Sequence, residues 1–181
     1  MKFSLLIAGS GGQGGMSMGM SLAASAVEGG KHATFMPLYG PEQRGGSAKC
    51  TVIISDEEII SPLPRQTDGL IAMNESSYKK FINELRPCGV LMRNMSRITS
   101  PLKRTDIVCV DLPADDLAHE LGSDKVSGII LIGAMIGYSD MMDPQIFMSS
   151  LEHKFAAKGA ALVELNQAAL YKGIELGKAA K

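Results

Sequence analysis

The chain has 181 residues, with 18 Lys and Arg against 19 Asp and Glu, for a formal charge of −1. Apolar residues make up 45% and charged residues 20%, the composition of a folded globular protein and not of a disordered one; at roughly 100–200 residues per domain, this is one domain with one sizeable core. Near-neutrality excludes bulk electrostatic binding to nucleic acid or an anionic membrane, and the longest nearly apolar run, Val126 to Tyr138, is shorter than the about 20 residues a bilayer span requires.

Phe3 to Ala8 is a continuous apolar run and reads as a strand buried on both faces, the kind found in parallel sheets. The glycine-dense stretch Gly9 to Gly15 turns the chain. Met16 to Glu28 then has apolar residues at helical spacing and stops at Gly29-Gly30. His32 to Met36 reads as a second strand. A βαβ opening of this kind predicts a right-handed crossover between parallel strands, with the two strands as neighbours. Pro37 to Gly46, with two prolines and three glycines in ten residues, reads as a loop. Ser47 to Ser55 is rich in β-branched residues and reads as a strand, followed by a turn at Asp56 to Glu58 and an irregular stretch from Ile59 to Thr67.

Further strands are expected at Gly69 to Met73, Val90 to Arg93 and Asp106 to Val110. Asn74 is placed to cap a helix over Glu75 to Leu85, which Pro87 and Gly89 would end. Pro113 suits the first turn of a helix to Leu121. Val126 to Tyr138 fits a strand or a buried helix by pattern, and its length and small residues favour the helix. Asp143-Pro144 is a cap plus first-turn proline for a helix to about Lys158. Gly159 breaks the chain before a final helix over Ala161 to Lys178. Alternating strands and helices predict a three-layer α/β/α domain over residues 1–181, with a mostly parallel sheet and a Rossmann-like opening.

Cys50, Cys88 and Cys109 are far apart, with no C-x-x-C pair. An iron–sulfur cluster needs clustered thiolates and a structural zinc needs four ligands, so neither is expected on this chain. His32, His119 and His153 are scattered and read as surface or structural residues. The amino terminus does not have the pattern of a secretory leader, and a cytoplasmic location is expected.

Gly9-x-Gly11-x-x-Gly14 follows a strand and opens a helix, the context of a dinucleotide fingerprint. The acidic residue that would hold a ribose at the end of the second strand is missing from Ala33 to Leu38. A turn for close helix–strand packing, or a backbone nest for an anion or a partner carbonyl, remains open. The second motif, Tyr39-Gly40-Pro41-Glu42-Gln43-Arg44-Gly45-Gly46, is either a structural turn with a local Glu42–Arg44 ion pair or a binding loop at the carboxyl edge of the sheet. Gln13 either reaches a ligand or fixes the turn. Lys49 lies on a strand just past the loop and could face either way. Arg97, Lys103 and Arg104 read as a solvated basic edge. The twelve methionines read as core and interface filler, and Met141-Met142 as a subunit contact.

Together, Ala8 to Gly15, Tyr39 to Gly46, and Val52-Ile53-Ile54-Ser55-Asp56-Glu57 with Ile60-Ser61-Pro62 resemble the gamma subunit of the 2-oxoacid:ferredoxin oxidoreductases, across almost the whole chain. Gly15 stands where that family usually has Val. The lead-in Tyr39-Gly40-Pro41-Glu42 is closer to the pyruvate, oxoisovalerate and 2-oxoglutarate branch than to the indolepyruvate beta subunit, which is retained as an alternative with a free-standing nucleotide-binding protein and a scaffolding module. The resemblance implies oxidative decarboxylation of a 2-oxoacid to acyl-CoA with reduction of ferredoxin. It implies thiamine diphosphate, Mg and [4Fe-4S] clusters on alpha, beta and ferredoxin-like delta subunits, ferredoxin as the acceptor, and no catalytic residue or bound cofactor on this chain alone. Its site residues would be Gly11, Gly12, Gln13, Gly14, Tyr39, Gly40, Pro41, Glu42, Arg44, Gly45 and Gly46, near coenzyme A. In isolation such a chain is expected to self-associate, as a homodimer, through the surface that otherwise meets its partners.

Overall fold

The computed structural model describes residues 1–39 and 46–181, with Tyr39 described by its backbone only. Six strands form one sheet in the order β2-β3-β1-β4-β5-β6: β1 (Lys2–Ser10), β2 (His32–Tyr39), β3 (Ser47–Ser55), β4 (Thr67–Ala72), β5 (Leu85–Asn94) and β6 (Val108–Leu112). β1, β4, β5 and β6 pair in parallel. β3 runs against both β1 and β2, so five of the six strands point the same way. The apolar run of β1 lies at the centre, with Leu5, Leu6, Ile7 and Ala8 all buried, as a strand covered on both faces requires.

The helices are α1 (Gly15–Glu28), α2 (Glu75–Phe81), α3 (Ala114–Glu120), α4 (Ser127–Ser139), α5 (Pro144–Ala156) and α6 (Ala160–Ala179). Asn74 caps α2, its side chain accepting from the Ser77 amide, and Asp143 caps α5 ahead of Pro144. α2 is shorter than expected: it tightens into a 3-10 turn at Ile82–Glu84, and β5 starts at Leu85, ahead of the Pro87 and Gly89 expected to end the helix. A shift in the β4–β5 register between Thr67 and Gly69 leaves Pro87 out of the ladder, so its missing N–H costs no pairing there.

The layers are unequal. α1, α3, α4, α5 and α6 contribute to the larger core on one face, while the smaller core on the other is built from α2, the 3-10 turn and residues such as Ile98 and Leu102. α4 is buried all round, from Gly128 to Gly137. A Cβ on Gly133 or Gly137 would come within 2.5 or 2.4 Å of the Leu170 or Ile174 carbonyl of α6, and one on Gly173 or Gly177 within 2.2 or 2.0 Å of the Ile130 or Ala134 carbonyl. The two backbones therefore touch, at a distance only glycine allows.

Two expectations about the opening are corrected. The crossover through α1 joins strands that run the same way, but β1 and β2 are not neighbours, because β3 inserts between them with Ser10 opposite Ser47. The expected loop also starts too early. Pro37, Leu38 and Tyr39 belong to β2, where Pro37 stands opposite Cys50; β2 is an edge strand, where a proline's missing N–H is tolerated. Met141 and Met142 lie in the core, at 0% and 4% exposure, and are no subunit contact. Their position after α4 sends both side chains into the cluster that also holds Phe147 and Leu151.

Candidate functional site at the glycine turn

β1 ends at Ser10, and the turn to α1 emerges at the carboxyl edge of the parallel strands, the edge where open α/β sheets place ligands. Gly12 and Gly14 have φ of 96° and 81°, a left-handed backbone that glycine adopts without steric cost. Gly14 caps α1 without a side-chain hydrogen bond, which leaves the first amides of the helix unscreened by any cap. Gly9 is glycine for packing: a Cβ there would lie 2.9 Å from Gln13 Oε1 and 3.2 Å from Met73 Cβ. Gly11 is different. It lacks a positive φ, and a Cβ on it would meet no described residue within 4 Å. A hollow of about 270 Å³ lies against the turn, lined by its glycines with Met16, Ser17 and Ala48.

Gln13 holds the turn. Its Oε1 accepts from the Ser10 amide at 2.7 Å and from Asn74 Nδ2 at 2.7 Å, and its Nε2 donates to the Met73 carbonyl at 3.5 Å. Asn74 Nδ2 also donates to Ser10 Oγ at 2.8 Å, while Asn74 Oδ1 accepts from the Ser77 amide. One asparagine thus caps α2 and ties the β4–α2 turn to the glycine turn. Its capping role is visible in sequence; its partnership with Gln13, 61 residues away, is not.

Of the second motif, Gly46 is buried, and its carbonyl accepts from the Gly11 amide at 3.3 Å. The Tyr39 backbone pairs with Ala48. Gly40, Pro41, Glu42, Gln43, Arg44 and Gly45 lie outside the described residues. The two motifs meet at Gly11 and Gly46, for a reason other than the one expected: the antiparallel β3 starts beside the end of β1, so no direct β1–β2 pairing is needed.

Charged residues around this edge are held in pairs. Lys49 faces the α2 side, its Nζ 2.7 Å from both Glu84 carboxylate oxygens and 4.7 Å from the Phe81 ring centre. Lys80 donates to Ser47 Oγ at the start of β3. The expected solvated edge holds for Lys103 and Arg97, both exposed, and not for the half-buried Arg104. Arg97 pairs with Asp115, and Arg104 pairs with Asp106 and donates to the Ile82 and Leu85 carbonyls. Arg93, unremarked in the sequence, is 5% exposed and donates through two nitrogens to Asp111 and through a third to the Ser100 carbonyl. That guanidinium holds the Asp111 carboxyl below its usual range. Burial, with help from Asp111, pushes the Cys109 thiol up to about 12, and burial alone does the same for Cys50. No sequence signal marks the Lys49–Glu84, Arg97–Asp115 and Arg93–Asp111 pairs, because the members of each lie on different elements.

Among the described residues no three His, Cys, Asp or Glu side chains gather to hold a metal ion, and no helix is long and apolar enough to cross a membrane. Cys50 is buried on β3, Cys109 lies on β6 and Cys88 is exposed at a left-handed position in β5, so the three thiols stand on three different strands. These residues do not fit an iron–sulfur cluster.

The sheet order, the antiparallel β3 and the glycine turn at the carboxyl edge define an open α/β module built around a glycine-rich corner. Residues 4–176 match the family described as pyruvate ferredoxin/flavodoxin oxidoreductase, and the chain belongs to that family. It is 32% identical over 170 residues to the ketoisovalerate oxidoreductase subunit VorA of Methanothermobacter thermautotrophicus, covering 93% of this chain and 35% of VorA. The chain therefore spans about a third of that relative. It is 28% identical over 181 residues to the 2-oxoglutarate synthase subunit KorC of Methanocaldococcus jannaschii, covering 98% of this chain and 95% of KorC. The keto/oxoacid ferredoxin oxidoreductase gamma subunit of Geobacter sulfurreducens superimposes with a TM-score of 0.83 at 28% identity, covering 98% of this chain and 99% of that one.

Proposed function

We infer that the chain is the gamma-type component of a multi-subunit 2-oxoacid:ferredoxin oxidoreductase, and that its glycine corner contributes to the coenzyme A side of the active site. The single observation that carries the site reading is Gly11. Packing explains Gly9 and backbone conformation explains Gly12 and Gly14, but neither explains Gly11, where a side chain would meet no described residue. Close approach of another molecule to the backbone accounts for a glycine there. Family membership over residues 4–176 supports the wider reading, as do a gamma subunit and a KorC subunit of matching length.

In this reading alpha, beta and ferredoxin-like delta subunits would hold thiamine diphosphate, Mg and the [4Fe-4S] clusters, and with them the chemistry of decarboxylation and of electron transfer to ferredoxin. This chain's part is positional. The amides of the first turn of α1, which no side chain caps, are donors suited to a phosphate or carboxylate. Arg44, on the motif that leads into Gly46, adds a planar cation suited to such an anion.

The test is reconstitution with the subunits encoded beside it, followed by 2-oxoacid- and coenzyme A-dependent reduction of a viologen dye. Activity should need this chain. Arg44→Ala should raise the apparent KM for coenzyme A or weaken assembly, by about 1.5–3 kcal/mol for a lost charge-assisted contact. Full activity without the chain would reject the subunit assignment. Normal assembly and kinetics in Arg44→Ala would reject the site.

A further inference from the structure

A second hollow, of about 140 Å³, lies on the flank of α1 between that helix and α4, α5 and α6. The polar groups in its wall are mostly donors. Lys154 of α5 reaches across to α1 and donates to Ser17 Oγ at 2.9 Å and Ser21 Oγ at 2.7 Å. With three protons and two hydroxyl acceptors, its ammonium has one more to give. Ser21 sends its own proton to the Ser17 carbonyl. Ser17 Oγ makes no donation to any described residue and so keeps a hydroxyl proton for the hollow. Lys125 stands in the wall beside the start of α4, and none of the lining side chains is acidic.

The charges around this hollow are alike. Lys154 and Lys158 sit 5.9 and 5.5 Å from the centre of the Phe155 ring, and partial burial together with the neighbouring Lys158 charge pulls the Lys154 ammonium below its usual range. Elsewhere this protein answers its semi-buried cations with carboxylates: Lys49 has Glu84, Arg93 has Asp111 and Arg104 has Asp106. Lys154 has only hydroxyls among the described residues. Lys154 is exposed, and an ammonium held in place by neutral acceptors alone is free to take an anion as its remaining partner.

We propose that the hollow bounded by Ser17, Ser21, Lys125 and Lys154 is a binding site for a phosphate group. The phosphate oxygens would accept from Lys154, Lys125 and the Ser17 hydroxyl. Ile129, Leu151 and Phe155 supply an apolar wall against which a small organic substituent can rest. Inorganic phosphate and a small phosphate monoester share this chemistry, and the wall favours the ester. Gly14 and Ser17 line both this hollow and the one at the glycine turn, so the two adjoin, but the phosphate proposal does not rest on the coenzyme A reading of Gly11.

The test is calorimetric titration of the full chain with inorganic phosphate and with phenyl phosphate, at ionic strength held constant with KCl. Saturable one-to-one binding is expected. Lys154→Met, which keeps the apolar stem, should weaken it by about tenfold or more, as the loss of a charge-assisted contact does. Lys125→Met should weaken it several-fold, and Lys172→Met, on the exposed face of α6, should leave it unchanged. Circular dichroism of each variant confirms that the fold is kept. Tighter binding of phenyl phosphate identifies a monoester as the ligand, and equal affinity identifies free phosphate. Absence of saturable binding, or binding undiminished in both Lys154→Met and Lys125→Met, overturns the proposal.

Discussion

Asn74 Nδ2 donates to Gln13 Oε1 at 2.7 Å, so the side chain that caps α2 also fastens the turn that opens α1. The consequence is mechanical unity of the sheet edge: the glycine turn cannot relax without disturbing the start of α2. Gln13→Ala would leave the Ser10 amide and one Asn74 proton without their acceptor. We expect it to cost about 1 kcal/mol, the scale of part-buried hydrogen bonds lost to water, measured by urea unfolding. Asn74→Asp keeps an oxygen for the Ser77 amide but replaces the donor to Gln13 and Ser10 with a second acceptor. Near-wild-type stability in Asn74→Asp would show that the cap alone matters.

The contact between α4 and α6 is equally specific. Gly177→Ala places a methyl within about 2.0 Å of the Ala134 carbonyl, where no rotamer can relieve it. Forced separation of two packed helices should cost about 1–3 kcal/mol or more, seen as a lower Tm and a reduced urea midpoint. Gly122→Ala, where space is open, isolates the smaller cost of a left-handed backbone.

Acid stability should depend on Glu75. Its carboxyl is lowered from the ordinary 4.5 to about 2 by the Lys79 ammonium and the Ser100 hydroxyl, with help from the Ser100 and Thr99 amides. A carboxyl whose folded pKa is depressed contributes stability above its unfolded pKa and loses it as pH falls through the folded one. The Glu75 contribution is therefore full above pH 4.5 and gone below about 2. Glu75→Gln should flatten the fall in stability across that window and leave the difference from wild type constant above it. Parallel pH profiles for both proteins would contradict the assignment.

Thiol chemistry gives a simple check on burial. Cys88 is exposed, while Cys50 and Cys109 are pushed up to about 12, chiefly by burial. Because the thiolate is the reacting form, a disulfide reagent at pH 8 should titrate one thiol quickly in the native chain and all three after denaturation. Rapid native reaction at two or more sites would mean that β3 or β6 is less covered than the structure has it.

Much of this fold is legible in the sequence where one segment settles its own fate. β1 is buried on both faces because six consecutive residues are apolar or small. Asn74 and Asp143-Pro144 mark helix starts because a cap needs only its own next three residues. α4 is a helix because its apolar run is longer than a strand and contains glycines at helix-contact spacing. The insertion of β3 between β1 and β2 is not legible, because the choice of neighbour is made by long-range pairing that leaves no periodicity in either segment. Pro37 reads as a loop residue until β2 is known to be an edge. Met141 and Met142 read as surface because they follow a helix end, yet the chain returns over the core there. Of the candidate site, the glycine turn and its position at the sheet edge are visible in sequence. The Asn74 link and the Lys49–Glu84, Arg93–Asp111 and Lys154–Ser17 pairings are not, since each joins residues from separate elements.

The all-round burial of α4 has a consequence for how the chain is made. α4 leaves the ribosome well before α6, whose Gly173 and Gly177 must lie directly on it. Until α6 follows, a wholly apolar helix has only part of its covering, and exposed apolar surface of this kind feeds aggregation. A chain cut before α6 should therefore leave that side of α4 uncovered and aggregate where the whole chain does not.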